Sequence, residues 1–526
     1  MSLFGLRGLK ILSLSSNNFS GSLQLNKIQQ LRNLSNLDLS YNSFSIEYNE
    51  TNSSLSSFPQ IVTLRLASRN LQTFPDFLRN QSKLITLDLS INQIPGEIPS
   101  WIWNSTNLLY LNLSYNLLEG PLHNLPSMLT FLDLHSNQLQ GQLPTLPTSP
   151  TYLDFSRNNF SSAIHDSIGS NLTLAAFLSL SNNQLSGSIP ESICNAINLL
   201  VLDMSDNLLS GTIPQCFYEM SETLMVLDVR RNRLSGNISD SFSVNCSLQT
   251  LNHNGNLFEG VVQKSLGNCK KLDVLNLGNN KIKDAFPCYL KNLSSLHVLI
   301  LRSNKFYGSI DCGGTNTSWP MLKIVDLASN KYTGRLPRES LSAWKAMMDD
   351  AQTQFEHLQY GKIEVMGYYY QDVIKVTNKG LDMKLVKILT LFTSIDLSCN
   401  NLDGPIPEEL GELKSLLVLN LSHNALTDHI PPFMGNLTQR ESLDLSINKL
   451  TGEIPMQFED GLTFLEVLNL SFNQLMGPIP NFRQFTTFSE VSYEANEGLC
   501  GYPSNKKCTL GPRSSPLPFQ ETHLNS

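Results

Sequence analysis

Leucines two residues apart, followed three positions later by asparagine, recur along almost the whole chain. The pattern L-x-L-x-x-N places its asparagine at Asn17, Asn42, Asn92, Asn116, Asn137, Asn158, Asn183, Asn207, Asn232, Asn256, Asn280, Asn304 and Asn330, with Arg69 in the equivalent slot between Asn42 and Asn92. After a gap it returns at Asn400, Asn424, Asn448 and Asn473. This gives 14 units before the gap and 4 after it, mostly 24 or 25 residues apart, a regularity that predicts a stack of like coils rather than one globule. In Leu275-Asn276-Leu277-Gly278-Asn279-Asn280, alternation on a short strand sends the two leucines to one face and Asn276 and Gly278 to the other. Stacked strands then form a parallel sheet over one elongated leucine core. Where the chain leaves the strand its backbone is buried without a ladder partner, and an Asn amide, donor and acceptor at once, satisfies it coil after coil.

The G-x-I-P segments at Gly96-Glu97-Ile98-Pro99, Gly187-Ser188-Ile189-Pro190, Gly404-Pro405-Ile406-Pro407 and Gly452-Glu453-Ile454-Pro455 add a flexible turn, an inward Ile and a fixed-φ Pro, and so predict a return path on the convex side. The full unit L-x-x-L-x-x-L-x-L-S-x-N-x-L-x-G-x-I-P resembles the plant extracellular leucine-rich repeat over nearly the whole chain. The expected fold is an α/β repeat solenoid, a curved right-handed coil with a parallel β-sheet on its concave face and one non-repeat island. Leu66-Ala67-Ser68-Arg69-Asn70-Leu71 followed by Thr73-Phe74-Pro75, Leu301-Arg302-Ser303-Asn304-Lys305-Phe306-Tyr307-Gly308, and Val325-Asp326-Leu327-Ala328-Ser329-Asn330 resemble receptor-like proteins of the Verticillium-wilt and Cladosporium resistance groups. Lys379-Gly380-Leu381, leading through Lys387-Ile388-Leu389 into Ser394-Ile395-Asp396-Leu397-Ser398, resembles the junction where that family's island rejoins four last repeats.

The domain reading is repeats over 1–340, an island over 341–386, repeats over 387–480, a cap over 481–510 and a disordered tail over 511–526. The island holds Trp344, Phe355, Tyr360 and Tyr368-Tyr369-Tyr370 beside Asp349, Asp350, Glu356 and His357. That mixture suits packing on a neighbour with polar tips left wet. It reads as a ligand-contacting flap through Tyr368, Tyr369 and Tyr370, as a hinge, or as a plug shielding the cores of the flanking repeat blocks.

Nine cysteines suggest an oxidising compartment. Cys288 and Cys312 lie eight residues past Asn280 and Asn304, on matching places of adjacent coils and so within disulfide reach. Cys194 with Cys216 and Cys246 with Cys269 fall at nearly matching offsets, and nine unpaired thiols are the alternative. Cys500 and Cys508, in Glu497-Gly498-Leu499-Cys500-Gly501-Tyr502-Pro503, resemble the family's C-terminal cap, in which one pair closes the last coil. Cys399 is left as a small buried filler or a free thiol. Loop sequons at Asn18, Asn33, Asn49, Asn52, Asn80, Asn104, Asn159, Asn171, Asn237, Asn245, Asn292, Asn316 and Asn436 are candidate glycosylation sites. Those at Asn112, Asn420 and Asn469 arise from the strand motif itself.

Among 526 residues 41% are hydrophobic and 16% charged, with a formal net charge of −8 that offers no basic stripe to a nucleic acid. No apolar run is long enough to span a bilayer, and the opening residues lack the features of a secretory signal. Phosphate-cradle, zinc-protease and nucleophile-elbow motifs are missing, and acidic residues in the island read as solvated rather than as a glycosidase pair. No enzyme, metal or cofactor is expected. His253, in an inward leucine slot, reads as a satisfied core histidine or a local bulge. Binding remains, and the outward strand positions are its expected seat. Asp203, Asp206, Asp228, Arg230, Arg231, Asn254 and Arg302 form a mixed-charge stripe suited to a peptide or protein ligand, against the alternative of a solvated face with internal ion pairs.

The resemblance further implies an extracellular receptor without a kinase, signalling through partner kinases in plant immunity or development and held at the plasma membrane. Its last four repeats resemble the block that meets a somatic-embryogenesis-type co-receptor kinase, which carries over here to Asp396, Asn420, His423, Asp444 and Asn469. The family's adaptor receptor kinase relies largely on a membrane segment and acidic stretch not found in this sequence. The paired-cysteine N-terminal cap is also missing, so the chain reads as truncated at both ends. A secreted inhibitor of microbial wall-degrading enzymes and the ectodomain of a receptor kinase are the alternatives.

Overall fold

The computed structural model describes residues 3–47, 58–313, 319–348, 359–360, 362–365, 367–378, 380–386, 388–389, 391–481 and 483–508. The sequons Asn49, Asn52 and Asn316, the island residues Asp349, Asp350, Phe355, Glu356 and His357, and the segment 511–526 lie outside them. Three-residue strands, one per coil from Ile11–Ser13 to Val467–Asn469, form an 18-stranded parallel sheet. Leucine faces leucine across it: Leu227 pairs in register with Leu251, and Leu251 with Leu275. These side chains are fully buried, and the two inward leucines of each motif feed one core cluster running from Leu12 to Leu499. Among the described residues four single α-turns, such as Ser100–Trp103 and Phe458–Gly461, are the regular helix of the convex return path; 3₁₀ turns such as Glu191–Asn195 supply most of the rest. The coil period of about 24 residues leaves little room for more.

The asparagine column works as its chemistry dictates. Asn232 donates through Nδ2 to the carbonyls of Met204 (3.0 Å), Val229 (3.0 Å) and Arg230 (3.3 Å), and its Oδ1 accepts from the Leu209 amide at 3.0 Å. One amide thus ties the coil before it to its own. Arg69 performs the task with a guanidinium: Nη2 reaches the Asn42 carbonyl at 2.7 Å and Nη1 that of Phe44 at 3.0 Å. The residue preceding each rung turns the chain through a left-handed conformation, as Asp206 (φ 54°) and Arg231 (φ 50°) do. Glycine serves the second turn, where Gly187 has φ 77° and a Cβ would stand 3.2 Å from that of Ala163. Between these turns short strands build a second ladder, eight-stranded from Pro95–Gly96 to Leu257–Glu259.

The interruption does not break the stack. Ile324–Asp326 pairs directly with Ser394–Asp396, Asp326 opposite Asp396, and Asn400 bonds the Leu327 carbonyl at 3.1 Å. No core end is exposed at this point, so neither a hinge between two blocks nor a plug for their ends describes the insert. Its expected start at 341 also moves. Leu341, Trp344 and Met347 are buried in the solenoid core, and Ser415 donates its backbone N–H (3.1 Å) and hydroxyl (2.9 Å) to the Met347 carbonyl. Residues up to 348 therefore complete a coil.

Four disulfides join Cys194 to Cys216, Cys246 to Cys269, Cys288 to Cys312 and Cys500 to Cys508. Cys399 is free and exposed, not a buried filler, because it occupies the left-handed position before rung Asn400. Thiol titration of the native protein is expected to give one rapidly reacting group, abolished in Cys399→Ser; eight more should appear only after reduction.

Candidate functional site

The outward strand positions fix what the concave face can do. In six consecutive coils the first outward residue is Tyr110, Phe131, Tyr152, Phe177, Val201 and Val226. The four aromatic rings stack face to face at centroid spacings of 4.2, 4.5 and 4.4 Å, close to the strand spacing that sets them. Such a floor needs cover, and the island supplies it. An antiparallel hairpin of Lys362–Val365 and Tyr368–Gln371 lays Ile363, Val365 and Tyr370 on this floor. Tyr368 packs against Phe131 (4.8 Å) and Tyr152 (5.0 Å), and its hydroxyl hydrogen-bonds that of Tyr110. A second hairpin, Ile374–Asn378 with Leu381–Leu385, sets Ile374 and Val376 on Val274, Val298, Ile300 and Ile324. The period of two along each strand decides which residues face in.

Between the two apolar contacts lies a buried polar node. Asp372 of the island is fully buried and accepts the Thr250 hydroxyl. The Tyr370 hydroxyl stands 3.0 Å from Asp228 Oδ2 and 3.2 Å from Asp372 Oδ1. Arg230 bonds Asp228 and reaches Asp206 at 3.5 Å. Burial pushes the Asp228 carboxyl up to about 7 despite Arg230, and that of Asp372 up to about 8. One phenolic proton cannot serve two carboxylates, so a protonated Asp372 completes the set. Farther along, Arg302 donates to Asp326 (3.1 Å) and to Thr377 of the island (2.8 Å).

The expected ligand stripe is accordingly divided. Asp203, Asp228 and Arg230 are buried, and Asp228 and Arg230 bond the island or each other; these two serve docking of the insert, not capture of a molecule from solvent. Asp206, Arg231, Asn254 and Arg302 remain half-buried, with Arg231 donating to Asp206 at 3.0 Å. Of the three island tyrosines, Tyr370 is buried and Tyr368 half-buried against the sheet, and Tyr369 alone faces outward, 56% exposed. Among the co-receptor positions Asp396 is buried, Asn420, Asp444 and Asn469 are half-buried, and His423 is exposed. Asp396 cannot meet a protein partner where it lies, since the Ser398 N–H (3.0 Å) and hydroxyl (2.6 Å) hold its Oδ1 down. The sequons Asn18, Asn33, Asn80, Asn104, Asn159, Asn237, Asn245, Asn292 and Asn436 are exposed, whereas Asn171 is half-buried with Nδ2 donating to the Leu146 carbonyl at 2.9 Å. His253 is buried, 3.1 Å from the Tyr218 hydroxyl, and desolvation lowers it to about 3, so it stays neutral.

Among the described residues one group of potential metal ligands converges, Asp133, His135 and Asp154, with ligand atoms within 4.8 Å. His135 Nδ1 lies 2.6 Å from Asp133 and 3.8 Å from Asp154. Burial lowers its basicity, but the Asp133 hydrogen bond and both carboxylate charges outweigh that and raise it.

Sequence reasoning passed over the aromatic floor, Thr250, Asp372 and Asn496. Asn496 is a further rung, donating to the Leu470 carbonyl at 3.0 Å and accepting from the Leu475 amide at 3.0 Å, although its coil lacks the leucine pair. Apolar residues at six successive outward positions were the legible sign of a covered face.

Comparison with known proteins places this geometry. The Leucine Rich Repeat family model matches residues 83–105, 176–196, 198–220, 392–413, 415–437 and 464–485. Receptor-like protein 35 of Arabidopsis thaliana is 38% identical over 405 residues, covering 76% of this chain and 37% of the relative. Receptor-like protein 53 of the same plant is 38% identical over 391 residues, covering 73% and 35%. The chain thus spans less than half the length of these relatives. Among solved structures, the plant peptide hormone receptor RGFR1 in complex with RGF2 matches with a TM-score of 0.74 at 25% identity, over 94% of this chain and 80% of that one. The Arabidopsis receptor kinase HAESA in complex with the peptide hormone IDA and the co-receptor SERK1 matches with a TM-score of 0.65 at 27% identity, over 95% and 88%.

Proposed function

As the repeat array of this chain is that of a plant receptor-like protein, we propose that it is the extracellular recognition module of a kinase-less immune receptor. It binds a peptide or protein ligand on the concave face and a co-receptor kinase through its last four coils. The observation that carries this reading is the division of one uninterrupted 18-stranded sheet: the island covers its middle and leaves half-buried polar side chains open beside the cover. The solved neighbours that share the fold include ectodomains in complex with peptides, one of them together with a co-receptor. The half-buried Arg231 and Arg302, the latter also bonded to Thr377 of the island, are the candidate ligand contacts, together with the exposed Tyr369. His423, exposed beside the last coils, is the candidate for co-receptor contact. No helix among the described residues is long and apolar enough to cross a membrane, and attachment at the outer face of the plasma membrane is part of the proposal.

Affinity capture from infected plant tissue, with the secreted chain as bait, tests it. A peptide or protein should be retained, and at least tenfold less of it by the Arg231→Glu, Arg302→Glu double variant. Equal retention by both proteins would remove the concave face from the function. A second arm adds co-receptor ectodomain, whose association should require the ligand and weaken in His423→Glu.

A further inference from the structure

We propose that the outward face of the second ladder, at the coils of Asn280, Asn304 and Asn330, binds a linear polyuronate, a polysaccharide with a carboxylate on each sugar. This goes beyond the receptor reading and does not rest on it. Along these coils alternation turns Ile282, Phe306 and Tyr332 into the core, where they are fully buried, and turns Lys283, Lys305, Tyr307 and Lys331 outward, all of them exposed. The Lys305 N–H donates to the Ile282 carbonyl at 2.8 Å, which sets Lys305 opposite Lys283, just as the 2.8 Å bond from the Lys331 N–H to the Phe306 carbonyl accompanies the pairing of Lys331 with Tyr307. Three ammonium groups and one phenol thus occupy neighbouring positions on three stacked segments about 4.8 Å apart.

Like charges side by side on neighbouring strands repel, and in a chain of net charge −8 nothing relieves these. Among the described residues the ammonium groups of Lys283, Lys305 and Lys331 have no ion-pair or hydrogen-bond partner. Asp284, next to Lys283 in the chain, is engaged elsewhere: its carboxylate accepts the Val262 N–H at 3.1 Å and the Ala285 N–H at 2.8 Å, and its charge adds to burial in raising the Tyr289 and Tyr332 phenols. Asp403 stands opposite Arg335 at one end of the row, and Glu259, by the bond from the Lys281 N–H to the Phe258 carbonyl, opposite Lys281 at the other. The uncompensated charge is therefore confined to the middle. Two features select the occupant. Backbone groups of the row already bond from coil to coil, as Lys283 does to Gly260 and Tyr307 to Asp284, so no edge is open to an added peptide strand. Tyr307, 47% exposed among the cations, offers a ring to the apolar face of one sugar while the ammonium groups take the carboxylates of its neighbours. A row of cations at fixed spacing matches a polymer whose anions recur along a line.

Isothermal titration calorimetry of the full chain tests the assignment. The probes are an oligogalacturonate decamer and its methyl ester, which keeps the sugars and loses the charge. The acid is expected to bind about tenfold more tightly, as three exposed ion pairs together allow, and the margin should shrink as salt is raised. The triple variant Lys283→Gln, Lys305→Gln, Lys331→Gln should bring acid and ester level, with a melting temperature no lower than the parent's because exposed like charges are removed. The same loss of charge on the return path, in Lys264→Gln, Lys270→Gln, Lys271→Gln, should leave the preference intact. Tyr307→Ala should weaken the acid about threefold, and deca-glutamate, which carries the charge without the sugar, should bind the parent less tightly than the uronate. Equal binding of acid and ester to the unaltered chain, a preference that survives the first triple variant, an unchanged affinity in Tyr307→Ala, or deca-glutamate or phosphatidylserine vesicles held as tightly as the uronate overturns the proposal.

Discussion

Replacing Arg440 by leucine is expected to stabilise the C-terminal coils by about 3 kcal/mol, within the range measured when buried ionic groups give way to apolar ones. The register explains why. Ser442 pairs with Val418 and Val467, so Arg440, two residues earlier, holds the slot of Leu416 and Leu465, both fully buried. Its guanidinium is equally buried, and Nε, Nη1 and Nη2 all lack hydrogen-bond partners. Desolvation lowers it to about 9, so at neutral pH it carries an uncompensated charge inside a leucine core. A base depressed in the folded state is disfavoured at every pH below its folded value; stability returns only as pH climbs above about 9, and a measurement at pH 7 sees the whole cost. Urea unfolding of the parent, Arg440→Leu and Arg440→Ala proteins decides the matter. Leucine should shift the C-terminal transition upward, and alanine should gain less because it leaves a cavity. A leucine variant no more stable than its parent would show that the guanidinium is satisfied.

Raising the pH from 5 to 8.5 is expected to loosen the island while the solenoid stays folded. Asp228 and Asp372, with folded values of about 7 and 8, are acids whose protonated forms belong to the docked state, and undocked they return toward the ordinary carboxylate range. The docked form therefore binds more protons over the interval, and its stability, complete below about pH 4, is lost as pH rises toward the folded values. Two such groups make the opening equilibrium grow by at least about tenfold per pH unit between 5 and 7. Arg230, Asp203, Asp206 and Asp273 also act on the node; Arg230 is its cation, and it is already bonded to Asp228. Hydrogen exchange over 362–378, corrected for intrinsic rates, should show protection falling with pH in the parent. It should vary far less in Asp228→Asn, Asp372→Asn. Protection that is flat with pH in the parent would mean that the node ionises without cost.

The solenoid was legible because its signal is local and repeated: two leucines and an amide report the same surroundings coil after coil. Arg69 could be placed from spacing alone, and its guanidinium spans the two coils through the carbonyls of Asn42, Phe44 and Ala67. Arg440 was legible too, since it fills the second leucine slot of the unit that runs from Leu437 to Asn448, but the short L-x-L-x-x-N pattern used to count the coils begins only at Leu443. The insert was legible only as composition. Its alternation, with Ile363 and Val365 around Glu364 and Tyr368 and Tyr370 around Tyr369, announces strands, but nothing in it names the surface those strands seek. That surface was written elsewhere, in the outward column from Tyr110 to Val226, and the two halves meet only across 100 residues or more of chain. The ligand stripe was misjudged for the same reason. Asp228 and Arg230 do project from the concave face, but toward their own chain.

The direct pairing of Ile324–Asp326 with Ser394–Asp396 has an evolutionary corollary. An excursion that leaves and re-enters between neighbouring rungs is a parenthesis in the stack: lengthening, trimming or exchanging it shifts no downstream leucine out of phase. Closing a flexible excursion of twice the length costs only about 0.6 kcal/mol more. Diversification can therefore explore new inserts almost independently of the scaffold, constrained chiefly by the need to seat something on the aromatic row.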